Sequence, residues 1–360
     1  MFFFEKKEPK NFLRLGSAIG DFLPGSNTML WPSAHDEAPG GSKMTNLPRE
    51  FALIENYFRP LAGPAGLALA DDAAILPEIP GREWVVSVDA MVAGVHFLAD
   101  DPPDLIARKL LRVNLSDLAA MAAQPFGYLL TLAAPGTTPD AWFAGFAAGL
   151  AEDQTRFDLT LLGGDTTATP GPLVLSLTIF GAVATGKALR RTGAQPGDEV
   201  WVSGTIGDAA LGLLVRRGEL ADPSGTLLRR YLLPEPRLSL PLAGIARAGA
   251  DISDGLVQDL GHLCRAGGIG AVIEAASVPL SPAARAAGPD HLARCLTGGD
   301  DYELVLAVPP ERAAALQAAA AAAGVEVTRI GHFRADPARV LVRDAAGGEM
   351  ALGSGGWSHF

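Results

Sequence analysis

Six short motifs hold most of the reactive side chains: ADDAA (70–74), SVDAM (87–91), LSDLA (115–119), GGDTT (163–167), DISDG (251–255) and GGDDYE (298–303). Each sets aspartate among small or apolar neighbours, where an element begins or ends. Asp and Glu are rarely buried unless paired with a cation or bound to a metal. No lysine or arginine stands beside these motifs, so ion pairs do not account for the set. Helix caps and turns explain any one of them. Together they point to hard divalent cations, which take one or two carboxylates each and complete their shell with water and phosphate oxygens. The chemistry that follows is magnesium-assisted work on phosphate groups.

The elements that must position these motifs read as two α+β halves. Phe51, Ile54 and Phe58 fall on one face of a helix in EFALIENYF. Residues 84–92 read as a strand and 104–123 as a helix containing Asn114, Ser116 and Asp117. A strand over 126–135, a helix over 139–157 and a strand ending in a Gly-Gly turn at GGDTT follow, and then a strand over 173–183. The Gly/Pro-rich stretch 190–200 is the boundary between halves. Beyond it come a strand (199–204), helices over 208–218 and 236–249, a turn leading into a helix (251–268), an Ala-rich helix (311–323) and a late strand (340–344). Residues 1–43 lack periodicity and a signal-peptide pattern, and Met44 offers an alternative start, so they are set aside as an irregular extension.

Composition narrows the function class. A net charge of −11 and a pI near 5.0 leave no basic stripe for a nucleic-acid backbone. Every apolar run is broken well short of a membrane span. Two cysteines, Cys264 and Cys295, fit a reducing cytoplasmic setting and make no zinc motif. The six histidines include no HxxxH pair, and GxSxG is absent. GAVATGKA (181–188) nearly spells a phosphate-binding loop, but Ala188 stands where its hydroxyl belongs. SGTIGDAALG (203–212) could bind phosphate at a helix N-terminus, and reads more simply as a plain turn.

In order, DDAAIL, VSVDAMVAGVHF, VNLSDLAAMAAQP, LLGGDTT, RRTGAQPGD, DISDGLVQDLGHL, GGDDYEL and the closing GWSHF resemble the thiamine-monophosphate kinase family, within the aminoimidazole-ribonucleotide synthetase-like (PurM-like) ATP-binding superfamily. The likeness runs from about residue 47 to the C-terminus. It implies an α+β fold of two domains: an N-terminal mixed sheet with helices that pairs across a homodimer, and a C-terminal α+β domain. The corresponding division is an extension (1–45), an ATP- and magnesium-binding domain (46–189) and a C-terminal domain (190–360). The implied reaction is ATP-dependent phosphorylation of thiamine monophosphate to thiamine diphosphate in the cytoplasm, with several Mg2+ ions and without nucleic-acid or membrane partners. The alternatives are another synthetase of the superfamily, or a non-catalytic nucleotide or thiamine-phosphate binder.

The resemblance also implies roles for single residues. Asp72, Ser87, Asp89, Asp117, Asp165, Asp251 and Asp254 align with magnesium positions, and Val88 adds a backbone carbonyl. Asp89 and Asp117 are the expected shared, catalytic ligands. Gly163 and Gly164 would admit a phosphate to the backbone, while Arg191 and Ser253 would contact ATP. His96, Asp300 and Trp357 align with substrate contacts. Outside the resemblance, the glycine pair reads as a tight turn, Arg191 as a surface arginine, His96 as a core histidine and Trp357 as C-terminal packing. Two positions depart from the family pattern: Ala70 replaces glycine, and Asp300 replaces the glutamate of GGED.

Overall fold

The computed structural model describes residues 48–353 and 355–358; the expected N-terminal extension, and His359 and Phe360 of the closing motif, lie outside them. The first half is a four-stranded mixed sheet backed by two long helices. Its elements are α1 (Arg49–Leu53), β1 (Arg82–Val92), α2 (Pro103–Ala120), β2 (Gln124–Pro135), α3 (Asp140–Phe157), β3 (Thr160–Thr169) and β4 (Val174–Ala184). Strand order is β1-β4-β2-β3, with β2 and β3 parallel and the other pairs antiparallel.

Register assigns each side chain to a face, because strand residues alternate. Leu175, Leu177 and Ile179 of β4 are fully buried and lie opposite Met91, Asp89 and Ser87 of β1. This face packs on Leu110, Leu111, Leu115 and Leu118 of α2 and Phe146 and Leu150 of α3. The other face carries Val86, Val88, Phe180, Thr178, Leu129, Thr131, Gly163 and Asp165, and among the described residues no long helix packs on it, only the segment 54–76 bordering its β3 side. Val86 and Val88 remain 54% and 60% exposed.

The second half holds β5 (Glu199–Ser203), α4 (Asp208–Arg216), α5 (Thr226–Leu232), β6 (Ala248–Asp251), α6 (Leu256–Gly267), β7 (Gly270–Glu274), α7 (Pro282–Ala286), α8 (Leu292–Thr297), β8 (Leu304–Val308), α9 (Ala313–Ala323), β9 (Val327–Arg334) and β10 (Val340–Arg343). Its six strands run in the order β10-β7-β9-β5-β8-β6. Among the described residues no helix is long and apolar enough to cross a membrane.

Three local expectations need correction. Glycines 163 and 164 form no turn: they lie inside β3, beside a bulge at Tyr128/Leu129. A Cβ on Gly164 would come within 1.9 Å of the Leu130 carbonyl, so strand packing requires glycine there. The segment 236–249 is a loop leading into β6, because Pro236 and Pro241 remove the N–H groups a helix needs. In EFALIENYF the inward residues are Leu53 and Phe58, whereas Phe51 is 51% exposed, because α1 widens into a π turn at Ile54–Phe58.

Candidate functional site

The acids on the helix-packed side of the first sheet converge. Ser87 of β1 donates to Asp117 Oδ2 of α2 at 2.5 Å, and the Asp89 backbone N–H donates to Asn114 Oδ1 at 3.1 Å. Two hydrogen bonds thus hold four residues of β1 and α2 in register. From the second half, β6 ends at Asp251, which is 4% exposed. The chain then turns through Ser253 and Asp254 into α6.

These carboxylates feel one another. Burial, then the charges of Asp117 and Asp254, push Asp89 up to about 6. Burial also raises Asp117, although the Ser87 hydroxyl and Arg191 oppose it. Asp251 lies well above the usual carboxylate range through burial and the charges of Asp117, Asp259 and Asp89. Asp259 is pushed up to about 7, chiefly by burial, while it accepts the N–H groups of Asp254 and Gly255 at 3.0 Å each. The group therefore holds protons more readily than ordinary carboxylates and, when ionised, attracts cations.

Two cavities meet this cluster. One, of about 600 Å³, is lined by Ser87, Asp117, Arg190, Arg191 and Asp251. The other, of about 920 Å³, is bounded by Asp89, His96, Ser253, Asp254, Asp300 and Trp357. His96 Nδ1 accepts the Val92 N–H at 3.0 Å, which leaves the neutral ring's proton on Nε2. Trp357 is 55% exposed, and its backbone N–H donates to the Asp254 carbonyl at 3.0 Å. Asp300 adopts a left-handed φ of 73°.

Asp72 and Asp165 lie elsewhere. With Asp71, Gly163 and Gly164 they line a third cavity of about 620 Å³ on the uncovered face of the sheet. Asp165 belongs to β3, at the opposite sheet edge from β1, and projects to the opposite side from Ser87 and Asp89. One chain therefore does not bring the whole aligned set together. Val88 also sends its side chain away from Asp117. The Ala70 substitution is harmless locally, because its φ is −102°. The unusual backbone precedes it, with Leu67, Ala68 and Leu69 at φ of 49°, 53° and 54°.

Sequence reasoning passed over two residues. Lys109, 3% exposed on α2, borders the larger cavity; a lone lysine among core positions two turns before Asp117 was the available signal. Asp259 lies five residues after Asp254 in a motif already singled out.

The family described as AIR synthase related protein, N-terminal domain, matches residues 70–183, and its C-terminal domain matches 195–343. The chain is 50% identical over 296 residues to thiamine-monophosphate kinase of Caulobacter vibrioides, covering 79% of this chain and 84% of the relative. Among solved structures, thiamine-monophosphate kinase from Stenotrophomonas maltophilia K279a superposes with a TM-score of 0.71 at 40% identity, covering 76% of this chain and 89% of the other. AaThiL complexed with AMPPCP and TMP gives 0.69 at 28% identity, over 88% and 100% of the two chains.

Proposed function

The chain belongs to the thiamine-monophosphate kinase family and phosphorylates thiamine monophosphate to thiamine diphosphate at the expense of ATP, and from that premise we propose how its residues divide the work. The observation that carries the division is the acid cluster standing between two cavities. ATP occupies the smaller one with Arg191 toward its phosphates, and Ser253, on the rim of the larger one, meets them where the two substrates face each other. Thiamine monophosphate occupies the larger, its ring over Trp357 and its polar edges near His96 and Asp300. The phosphoryl group crosses at Asp89 and Asp117.

The donor set fits magnesium. Asp89, Asp117, Asp251 and Asp254 offer hard oxygen ligands, and burial together with neighbouring carboxylates raises Asp89 and Asp251, while burial raises Asp117. Ser87 and the Val88 carbonyl lie on the same strand. Bound magnesium would supply charge neutralisation between two polyanions. The chain's own residues do the rest. The acceptor is a phosphate monoester, already anionic at neutral pH, so no strong base is required. Positioning is the larger part of the catalysis. Asp89 and Asp117 would hold the magnesium that brings the reacting phosphates into line, and Ser87 fixes the Asp117 carboxylate.

The uncovered apolar face around Val86 and Val88 supports a homodimer in which a second copy covers it. In that assembly Asp72 and Asp165, with Gly163 and Gly164, serve the site of the neighbouring copy. The connector 190–200 divides the domains, and the two buried free thiols fit a cytoplasmic protein.

Incubation with ATP, Mg2+ and thiamine monophosphate, followed by chromatography for thiamine diphosphate, tests the reading. ATP hydrolysis without that product would overturn it. The dimer reading has its own test: mixing Asp117→Asn with Asp165→Asn subunits should recover about a quarter of wild-type turnover, since half the dimers then carry one intact site. No recovery would place all ligands within one copy.

A further inference from the structure

We propose that Lys109 is a positioning residue for thiamine monophosphate: its buried ammonium sets the Asp300 carboxylate and the His96 segment as two walls of the substrate cavity. This rests on assigning that cavity to thiamine monophosphate.

Lys109 lies on α2, whose neighbouring buried positions are Ile106, Leu110 and Leu111. A buried ammonium costs several kcal/mol unless its donors are used. Here they are: Nζ donates to Asp300 Oδ2 at 2.7 Å and to the His96 carbonyl at 3.3 Å, and it stands 4.2 Å from the Tyr231 ring centroid. With its donors committed in this way, the ammonium acts on its neighbours rather than on a phosphate.

Asp300 needs such a tether. Its left-handed backbone is unfavourable for a side chain bearing Cβ, and it is fixed by the Asp300 N–H to the Ser253 carbonyl at 2.8 Å and the Tyr302 N–H to the Ile252 carbonyl at 2.8 Å. The carboxylate itself is one-third exposed. Lys109 holds Oδ2, and Oδ1 takes only a long bond from the Tyr302 hydroxyl at 3.4 Å, so Oδ1 keeps a lone pair for an N–H donor such as the amino group of an aminopyrimidine. Asp300 also belongs to the second half of the chain and Lys109 to the first. A single side chain therefore sets the width of the cavity across both halves. The shorter aspartate suits this arrangement, because it keeps the carboxylate against α2.

The test compares Lys109→Met, Lys109→Arg, Asp300→Asn and the Lys109→Met/Asp300→Asn double variant. Thermal unfolding and binding of a non-hydrolysable ATP analogue first establish that each is folded. Lys109→Gln replaces Lys109→Met if the latter does not fold. Lys109→Met should raise KM for thiamine monophosphate about tenfold or more, the loss expected for a charged hydrogen bond. kcat and KM for ATP should stay within about twofold, because the residue touches neither ATP nor the transferred group. Lys109→Arg should recover part of the loss, and the double variant should be no worse than Asp300→Asn. An unchanged KM in Lys109→Met, a fall confined to kcat, or multiplied effects in the double variant would each overturn the proposal. Failure of the underlying assignment looks different: Asp300→Asn itself would then leave KM for thiamine monophosphate unchanged.

Discussion

Two sets of buried carboxylates sit within this molecule, and they differ in what accompanies them. Asp153, fully buried on α3, receives both Arg112 Nε and Nη2, at 2.6 and 2.9 Å. Glu303, also fully buried, is met by Arg230 at 2.8 Å, Arg237 Nε at 2.6 Å and the Ser203 hydroxyl at 2.6 Å. Asp89, Asp117 and Asp251 face mainly one another, and among the described residues Arg191 alone opposes their charge, acting on Asp117. Structural acids bring their arginines; the proposed metal ligands leave their charge unbalanced. The same residue type is thus a clamp in one region and a cation receptor in the other.

The sharpest way to break this comparison is to neutralise one acid of each kind. Asp117→Asn should lower turnover by about three orders of magnitude or more, since it removes a group acting on the transferring phosphate. Its melting temperature without metal should not fall. Near-normal turnover would remove Asp117 from the reaction centre. In the other region, Arg112→Met leaves the buried Asp153 with only the longer bond from Arg108 Nε, at 3.2 Å, and stability should drop by about 3 kcal/mol in chemical denaturation. Arg112 also donates to the Pro234 carbonyl and pairs with Glu235, so the loss should loosen the seam between the two halves of the chain. A loss under about 1 kcal/mol would mean that the pair is no clamp, since that is the range of exposed ion pairs.

A smaller effect of opposite sign is expected from Asp251→Asn. Relieving repulsion in an unbalanced cluster should raise metal-free stability by about 1 kcal/mol or more. Added Mg2+ should stabilise the wild type more than this variant, because a ligand that binds only the folded state shifts its unfolding by mass action. Equal stabilisation of both proteins would remove Asp251 from the metal site.

Much of the site was legible because its chemistry is local in sequence. Motifs such as SVDAM and DISDG name the acid and place it at an element end. Patterning also gave the alternation of strands and helices in the first half. What stayed hidden depends on register and on contacts across the chain. Nothing in GGDTT reveals that β3 runs straight through both glycines, or that Asp165 then faces away from Asp89. The segment 236–249 has helical apolar spacing, and only its prolines argue otherwise. Lys109 finds its partner 191 residues away. Its significance appears only when α2 and the loop before β8 are seen together.

Asp301 is the intermediate case, and it gives the finest test. It is fully buried, and its carboxylate accepts the Gly207 N–H at 2.6 Å and the Ala209 N–H at 3.3 Å, so it caps the start of α4, the place where the sequence allowed a phosphate. Arg230 reaches only its backbone carbonyl, at 2.9 Å. Burial outweighs the two N–H donors and pushes this aspartate up to about 8, from an ordinary value of 3.8. Between those values the folded chain holds a proton that the unfolded chain has released. The contribution to stability is therefore fully present below about pH 4 and is lost as pH rises through about 8. Asp259, raised to about 7, adds in the same sense. Denaturation midpoints measured from pH 5 to 8.5 should fall with pH in the wild type and fall less steeply in Asp301→Asn. Parallel profiles would mean that Asp301 is ionised in the folded chain, and that two backbone donors suffice to hold a buried carboxylate charged without an arginine.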